Sequence, residues 1–151
     1  MADTAKISDL TARNTAVTED ELFEISEYQG TPGEYLSKKV KRSYILGYKS
    51  YIATLTQSGT NAPTANLLEN SIGGTPVWSR DSAGNYRLTL TGLFTANKVV
   101  ILMSQENDVK NNAIRLSDNV VQITSSDTTG GSEVPSDGLL SNTTIEIRVY
   151  Y

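Results

Sequence analysis

VWSRDSAGNYRLTLTGL, residues 77–93, reads as two strands and the turn that joins them. Val77–Arg80 runs in, Asp81–Asn85 reverses the chain, and Tyr86–Thr91 runs back. On the returning strand Tyr86, Leu88 and Leu90 alternate with Arg87, Thr89 and Thr91. A period of two places one face against a core and the other against water. Gly84 and Asn85 tolerate the positive φ that a tight strand reversal requires. Trp78, the single tryptophan, brings one of the largest apolar side chains to the incoming strand. A lone hairpin is marginal in water, so other strands must cover its apolar face.

Those strands are legible on both sides. Tyr51, Ala53 and Leu55 alternate with Ile52, Thr54 and Thr56, and Ser58–Pro63 follows as a loop. Ala65–Ile72 is apolar with polar interruptions until Gly73-Gly74 breaks it. Val99–Met103 is an unbroken apolar run whose β-branched content predicts a strand covered on both faces. Gln105–Asn112 reads as a polar loop, and Ala113–Leu116 and Val120–Thr124 read as strands around Ser117-Asp118-Asn119. Ser125–Asn142 is a long loop rich in glycine and serine, and such loops are uncommon unless functional or packed on themselves. Thr143–Tyr151 closes the chain with Ile145, Ile147, Val149 and Tyr151 on one face. About seven strands in about 100 residues predict an antiparallel β-sandwich or jelly-roll-like domain over residues 48–151.

The first 47 residues have a different texture. Ile7 and Leu10 are spaced as on one helical turn, and Thr18–Glu21 fits a capping box. Phe23 and Ile25 alternate with Glu24 and Ser26, and Gln29–Gly33 is turn material. From Tyr35 a second strand sets Leu36, Lys38 and Val40 opposite Ser37, Lys39 and Lys41, and Ser43 caps a brief helix that Gly47 ends. So thin a scatter of apolar residues buries too little surface for independent stability. Residues 1–47 are therefore expected to form a small α+β module that leans on its neighbours.

Composition excludes more than it assigns. The net charge is −4, and both halves are mildly acidic, which argues against nucleic acid as a partner. No apolar run reaches membrane-spanning length. Without cysteine or histidine, thiolate chemistry and Ser-His-Asp catalysis are excluded. Glu69, Asp81, Glu106 and Glu133 show no spacing that would pair them for glycan cleavage. Asp81–Asn85 and Glu106–Asp108 lack the pattern of a calcium loop, so no cofactor or metal is expected. Lys38-Lys39-Val40-Lys41-Arg42 reads first as a solvated edge strand. Tyr86, Tyr150 and Trp78 are candidates for stacking on sugars, although aromatic residues on strands more often serve cores and interfaces. Tyr150 and Tyr151 are the better candidates for contact between subunits.

Two stretches resemble known proteins. Lys6-Ile7-Ser8-Asp9-Leu10, Thr18, Glu21-Leu22, Ile25, Ser37-Lys38-Lys39-Val40 and Ser43-Tyr44-Ile45 resemble a short N-terminal module of bacteriophage head- and tail-fibre proteins. This chain departs from it in the longer turn between Tyr28 and Tyr35, which carries Pro32. Leu55–Thr60, Ala62-Pro63, Leu68–Asn70, Gly73-Gly74, Val77-Trp78, Gly84–Tyr86, Thr89–Gly92 and Asn97-Lys98 resemble a domain of particle proteins from phages of Bacteroidetes-type hosts. The resemblance implies a structural virion component, made in the host cytoplasm and assembled into the particle. It implies a homo-oligomer, trimeric as fibres of this kind are, with other virion proteins as partners and no enzymatic activity. Ile7, Leu10, Phe23, Ile25, Lys38, Lys39, Val40, Tyr150 and Tyr151 are the expected particle or subunit contacts. The alternative expectation is a host-surface glycan-binding module, with Ser58–Pro63, Gln105–Asn112 and Ser125–Asn142 as the contacting loops.

Overall fold

The computed structural model describes residues 22–28, 35–41 and 46–151. The chain divides into two units, Met1–Ile45 and Leu46–Tyr151. In the first, β1 (Leu22–Tyr28) and β2 (Tyr35–Lys41) pair as an antiparallel ladder from Leu22↔Lys41 to Tyr28↔Tyr35. Both strands foreseen there form, and β1 runs on past Ser26 to Tyr28. The expected helical turn at Ile7 and Leu10, the capping box at Thr18 and residues 43–45 of the expected brief helix lie outside the described residues; Leu46 is helical, and Gly47 follows it at a φ of 71°.

The second unit is almost wholly β. Its strands are β3 (Tyr48–Thr56), β4 (Thr64–Asn70), β5 (Val77–Ser82), β6 (Asn85–Thr89), β7 (Val99–Met103), β8 (Val109–Ser117), β9 (Val120–Asp127), β10 (Val134–Pro135) and β11 (Thr143–Tyr150). They form two antiparallel sheets. One has the order β4-β3-β11-β7; in the other β9 lies between β8 and β6, with β5 beyond β6. The short β10 pairs with Ser126 and Asp127 of β9, just past the residues of β9 that pair with β6.

Period-two patterning places the core. Tyr51, Ala53 and Leu55 of β3 and Ile145 and Ile147 of β11 are buried from one sheet, and Tyr86, Leu88, Val121 and Ile123 from the other. All belong to one apolar cluster, which Ile72, Phe94 and Leu140 complete from the connections. Trp78 packs against this cluster, and its indole N–H donates to the Tyr51 hydroxyl at 3.2 Å.

The hairpin around Gly84 is tighter than its composition predicts. Strand pairing continues to Ser82↔Asn85, leaving Ala83-Gly84 as the turn, because a bulge between Arg80 and Ser82 absorbs Asp81. Gly84 takes a φ of 66°, whereas Asn85 is not among the positive-φ residues. Val99–Met103 is a strand with only one covered face. Val99, Ile101 and Met103 pack on the core, while Val100 and Leu102 are 41% and 48% exposed, because β7 is the outermost strand of its sheet. The expected loop Gln105–Asn112 is shorter, since β8 begins at Val109, and β9 extends to Asp127.

Candidate binding end

Where β3 ends and β11 begins, Leu55 pairs with Thr143; where β3 begins and β11 ends, Tyr48 pairs with Tyr150. The chain therefore comes into the domain and leaves it at one end of the sheet. The connections 57–63, 83–84, 104–108 and 128–142 gather at the other. Backbone bonds tie them directly: Gln57 N–H to Leu140 O at 2.9 Å, Ser125 N–H to Gly84 O at 2.8 Å, and Thr128 N–H to Asp108 O at 2.9 Å. The three loops expected to contact a glycan are thus neighbours.

Two polar clusters hold this end. In the first, Tyr86 rises from the alternating face of β6 and is fully buried. Its hydroxyl lies 3.0 Å from Gln57 Oε1 and 3.1 Å from Asp137 Oδ1, two acceptors that share its one proton. Arg80 grips Asp137 with two prongs, Nε to Oδ1 at 3.0 Å and Nη2 to Oδ2 at 2.7 Å. The Gly84 N–H donates to Asp137 Oδ1 at 3.2 Å. Gln57 joins the other loops: its Nε2 donates to Gly59 O and Asn61 O at 2.6 and 3.0 Å, and its Oε1 accepts from Gly138 N–H at 2.5 Å. In the second cluster the Ser125 hydroxyl donates to Asn111 Oδ1 at 2.6 Å, and Asn111 Nδ2 donates to Ser104 O at 3.1 Å. Gln105 brackets the Asn111 backbone, accepting its N–H at 3.0 Å and donating to its carbonyl at 2.6 Å.

The environment shifts the titrating groups accordingly. The Arg80 guanidinium, opposed by partial burial and aided by the Gly84 N–H and the Tyr86 hydroxyl, draws the Asp137 carboxyl down to about 2. Burial first, and the Asp137 carboxylate second, push the Tyr86 phenol well above its ordinary range. Both shifts lock the same protonation pair, a carboxylate accepting from a neutral phenol.

The opposite end is aromatic. Tyr48 and Tyr150 rings lie 5.4 Å apart at 47°, and the Arg148 guanidinium sits 5.0 Å from the Tyr48 centroid. Arg148 Nε donates to Glu146 at 2.6 Å, and that bond, then one with Tyr150, holds the guanidinium more firmly protonated than usual. Tyr150 and Tyr151 are exposed.

The structure distributes the expected contacts as follows. Tyr150 and Tyr151 lie at the aromatic end. Phe23 and Val40 are opposite one another on β1 and β2, as are Ile25 and Lys38, while Lys39 faces Glu24 across the ladder. Ile7 and Leu10 lie outside the described residues. Tyr86 belongs to the core, so its place as a sugar-stacking surface is corrected. Glu69 lies on β4 and Asp81 on β5: Glu69 accepts from the Ser50 hydroxyl at 2.5 Å, and Asp81 pairs with Arg87 at 2.5 Å. Glu133 pairs with Lys110. Sequence reasoning passed over Gln57, Asp137 and Asn111 as organisers of the loops. The one signal was the length of the segment around Asp137. No family model, curated protein or solved structure matches this chain.

Proposed function

We propose that this chain is a structural, non-catalytic component of a bacteriophage particle, a homo-oligomeric fibre or decoration subunit. In this reading the N-terminal unit attaches the subunit and knits a trimer, and residues 46–151 form a β-sandwich displayed outward. The sandwich is favoured over a jelly roll because the hairpins β3–β4, β5–β6 and β8–β9 each stay within one sheet. The observation that carries the reading is the polarity of the domain: its two chain ends lie together, and its pinned loops lie opposite. That layout suits a module tethered at one end and exposed at the other. The phage context rests on the resemblance of the 6–45 and 55–98 motifs. Mass spectrometry and cryo-electron microscopy of purified particles test it; a monomer absent from particles refutes it.

The gathering of 57–63, 104–108 and 128–142 supports a second reading, a host-surface glycan-binding module on the virion. Saturable binding of the full chain to host cells, lost on substitution within these loops, is its expected outcome. Flat cell-binding and glycan-array profiles would refute it.

A further inference from the structure

An Asp-Gly bond is among the most easily rearranged in proteins, because glycine has no Cβ to hinder attack by its own nitrogen. That nitrogen bonds to the aspartate Cγ, and its proton leaves with the hydroxyl of the protonated carboxyl as water. Water then opens the succinimide ring at either carbonyl. Opening at Cγ restores aspartate; opening at the main-chain carbonyl gives isoaspartate, with the chain rerouted through Cβ and Cγ. The sequence contains one Asp-Gly pair, Asp137-Gly138, and no Asn-Gly. It lies in the 128–142 connection, and Gly138 is exposed to the water that ring opening consumes.

Both reacting groups are tied down. Asp137 Oδ1 accepts from Arg80 Nε at 3.0 Å, the Tyr86 hydroxyl at 3.1 Å and Gly84 N–H at 3.2 Å, and Oδ2 accepts from Arg80 Nη2 at 2.7 Å. These donors hold the carboxyl ionised, and a carboxylate is a poor electrophile because it has no hydroxyl to lose as water. The Gly138 N–H donates to Gln57 Oε1 at 2.5 Å, and Gln57 Nε2 is itself anchored on Gly59 O and Asn61 O. A peptide plane turns as a unit, so this bond also fixes the direction from which the nitrogen could approach. Ring closure consumes the N–H that Gln57 holds and one of the oxygens that Arg80 holds. It therefore cannot proceed with either contact intact.

We propose that Asp137-Gly138 is a latent isomerisation site, held shut by Arg80 and Gln57, whose conversion to isoaspartate unfastens the 128–142 loop. Isoaspartate lengthens the main chain by a methylene and moves the carboxylate onto Cα. The two-pronged grip of Arg80, the Gly84 N–H and the Gln57 contact then cannot all be met from one backbone position. Arg80 belongs to β5 and Gln57 follows β3 in the other sheet, so the site stays shut only while both sheets are in place. The inference goes beyond the assembly reading and stands whatever the loop end contacts.

Ageing the full chain at neutral pH, with isoaspartate at position 137 counted by electron-transfer fragmentation mass spectrometry, tests it. The same chain unfolded in guanidinium chloride sets the unrestrained rate, and the folded chain isomerises about tenfold or more slower, the factor to which one such hydrogen bond corresponds. Arg80→Lys keeps the charge but not the two-pronged geometry, and it speeds isomerisation of the folded chain about threefold or more. Arg87→Lys, which alters the Asp81 pair on the same hairpin, is the control and ages at the parent rate. Circular dichroism establishes that each variant is folded; if Arg80→Lys is not, Tyr86→Phe removes one donor from the same oxygen and speeds the reaction about twofold. Chymotrypsin reads the consequence: Leu140 is buried in the intact domain, and isomerised chains are cut after it faster than unaged ones. A folded chain that isomerises as fast as the unfolded one overturns the proposal. So does a folded Arg80→Lys or Tyr86→Phe that ages no faster than Arg87→Lys, or an isomerised chain cut at Leu140 no faster than the parent.

Discussion

Replacing Gly84 by alanine tests whether the β5–β6 turn and the loop around Asp137 are mechanically one. Gly84 holds a φ of +66°, and a Cβ there would stand 2.4 Å from Ser125 O, 2.5 Å from Ser136 N and 2.9 Å from Pro135 C. All three are backbone atoms, so no side chain can swing aside. Two costs add. The left-handed conformation costs alanine about 1 kcal/mol relative to glycine. Admitting the methyl also displaces the bond from Ser136 N–H to Ser125 O at 3.1 Å and that from Gly84 N–H to Asp137 at 3.2 Å. Each such bond contributes about 0.5–1.5 kcal/mol. The expected loss is about 3 kcal/mol, a fall in Tm of roughly 10–20 °C for a domain of this size. Gly131→Ala is the control, because its φ is +75° and nothing lies within 4 Å of its Cβ; it bears only the first cost, about 1 kcal/mol. Urea and thermal unfolding of both full-length variants by circular dichroism gives the comparison. Losses equal within about 0.5 kcal/mol would refute the contact between turn and loop, since differences of that size do not distinguish sites.

Three further outcomes follow from the same end and its opposite. Tyr86→Phe removes one hydroxyl and leaves both acceptors with other donors, so chemical denaturation should show a loss of only about 1 kcal/mol. The Tyr86 phenol is raised in the folded chain, so its contribution is complete below its ordinary value of 10.0 and is lost as pH climbs beyond it. The phenylalanine variant should therefore lose less stability than the parent between neutral and strongly alkaline pH. Asp137 is the opposite case: its carboxyl is lowered from 3.8 to about 2, so its contribution is complete above the ordinary value and disappears as pH falls through that window. Urea midpoints measured across acid pH should fall less steeply for Asp137→Asn, and parallel slopes would contradict the ion pair. At the aromatic end, Tyr48→Ala removes the ring beside Tyr150 and under Arg148. Because this face is partly exposed, the loss by thermal unfolding should stay within about 1 kcal/mol.

Alternation made half of this fold legible before any coordinates. Tyr51-Ala53-Leu55, Tyr86-Leu88 and Ile145-Ile147 announce their buried face through the backbone period alone, a property of each strand by itself. Val99–Met103 misled for the complementary reason. Five apolar residues look the same whether their second face meets a cover or nothing, and the position of β7 at a sheet edge is decided by β11, far along the chain. The turn boundary slipped because Asp81 and Ser82 have turn-like composition, while a bulge lets the strand continue through them. Gln57 and Asp137 were illegible for a third reason. Each is an ordinary polar residue in its own neighbourhood, and only the folded chain brings both to one tyrosine hydroxyl.

That meeting bears on what the loop end is for. An ion pair drawn out of water gives little net stability, because losing hydration offsets most of the attraction, and an apolar cluster of equal volume is often as stable. What Arg80, Asp137, Tyr86 and Gln57 supply instead is selectivity among arrangements of the 128–142 segment. An apolar patch under that segment would accept many registers. Here the carboxylate of Asp137 must receive two guanidinium bonds and a backbone N–H, and Gln57 must meet two carbonyls with its nitrogen and a backbone N–H with its oxygen. A shift of one residue leaves these donors and acceptors unmet, at about 1–3 kcal/mol for each group left buried. The loop is therefore held in one shape before anything touches it, and a surface ordered in advance loses less entropy when a partner docks. Such fastening stabilises the domain whatever the connection does, and on the reading proposed above it would also offer a partner a surface already shaped.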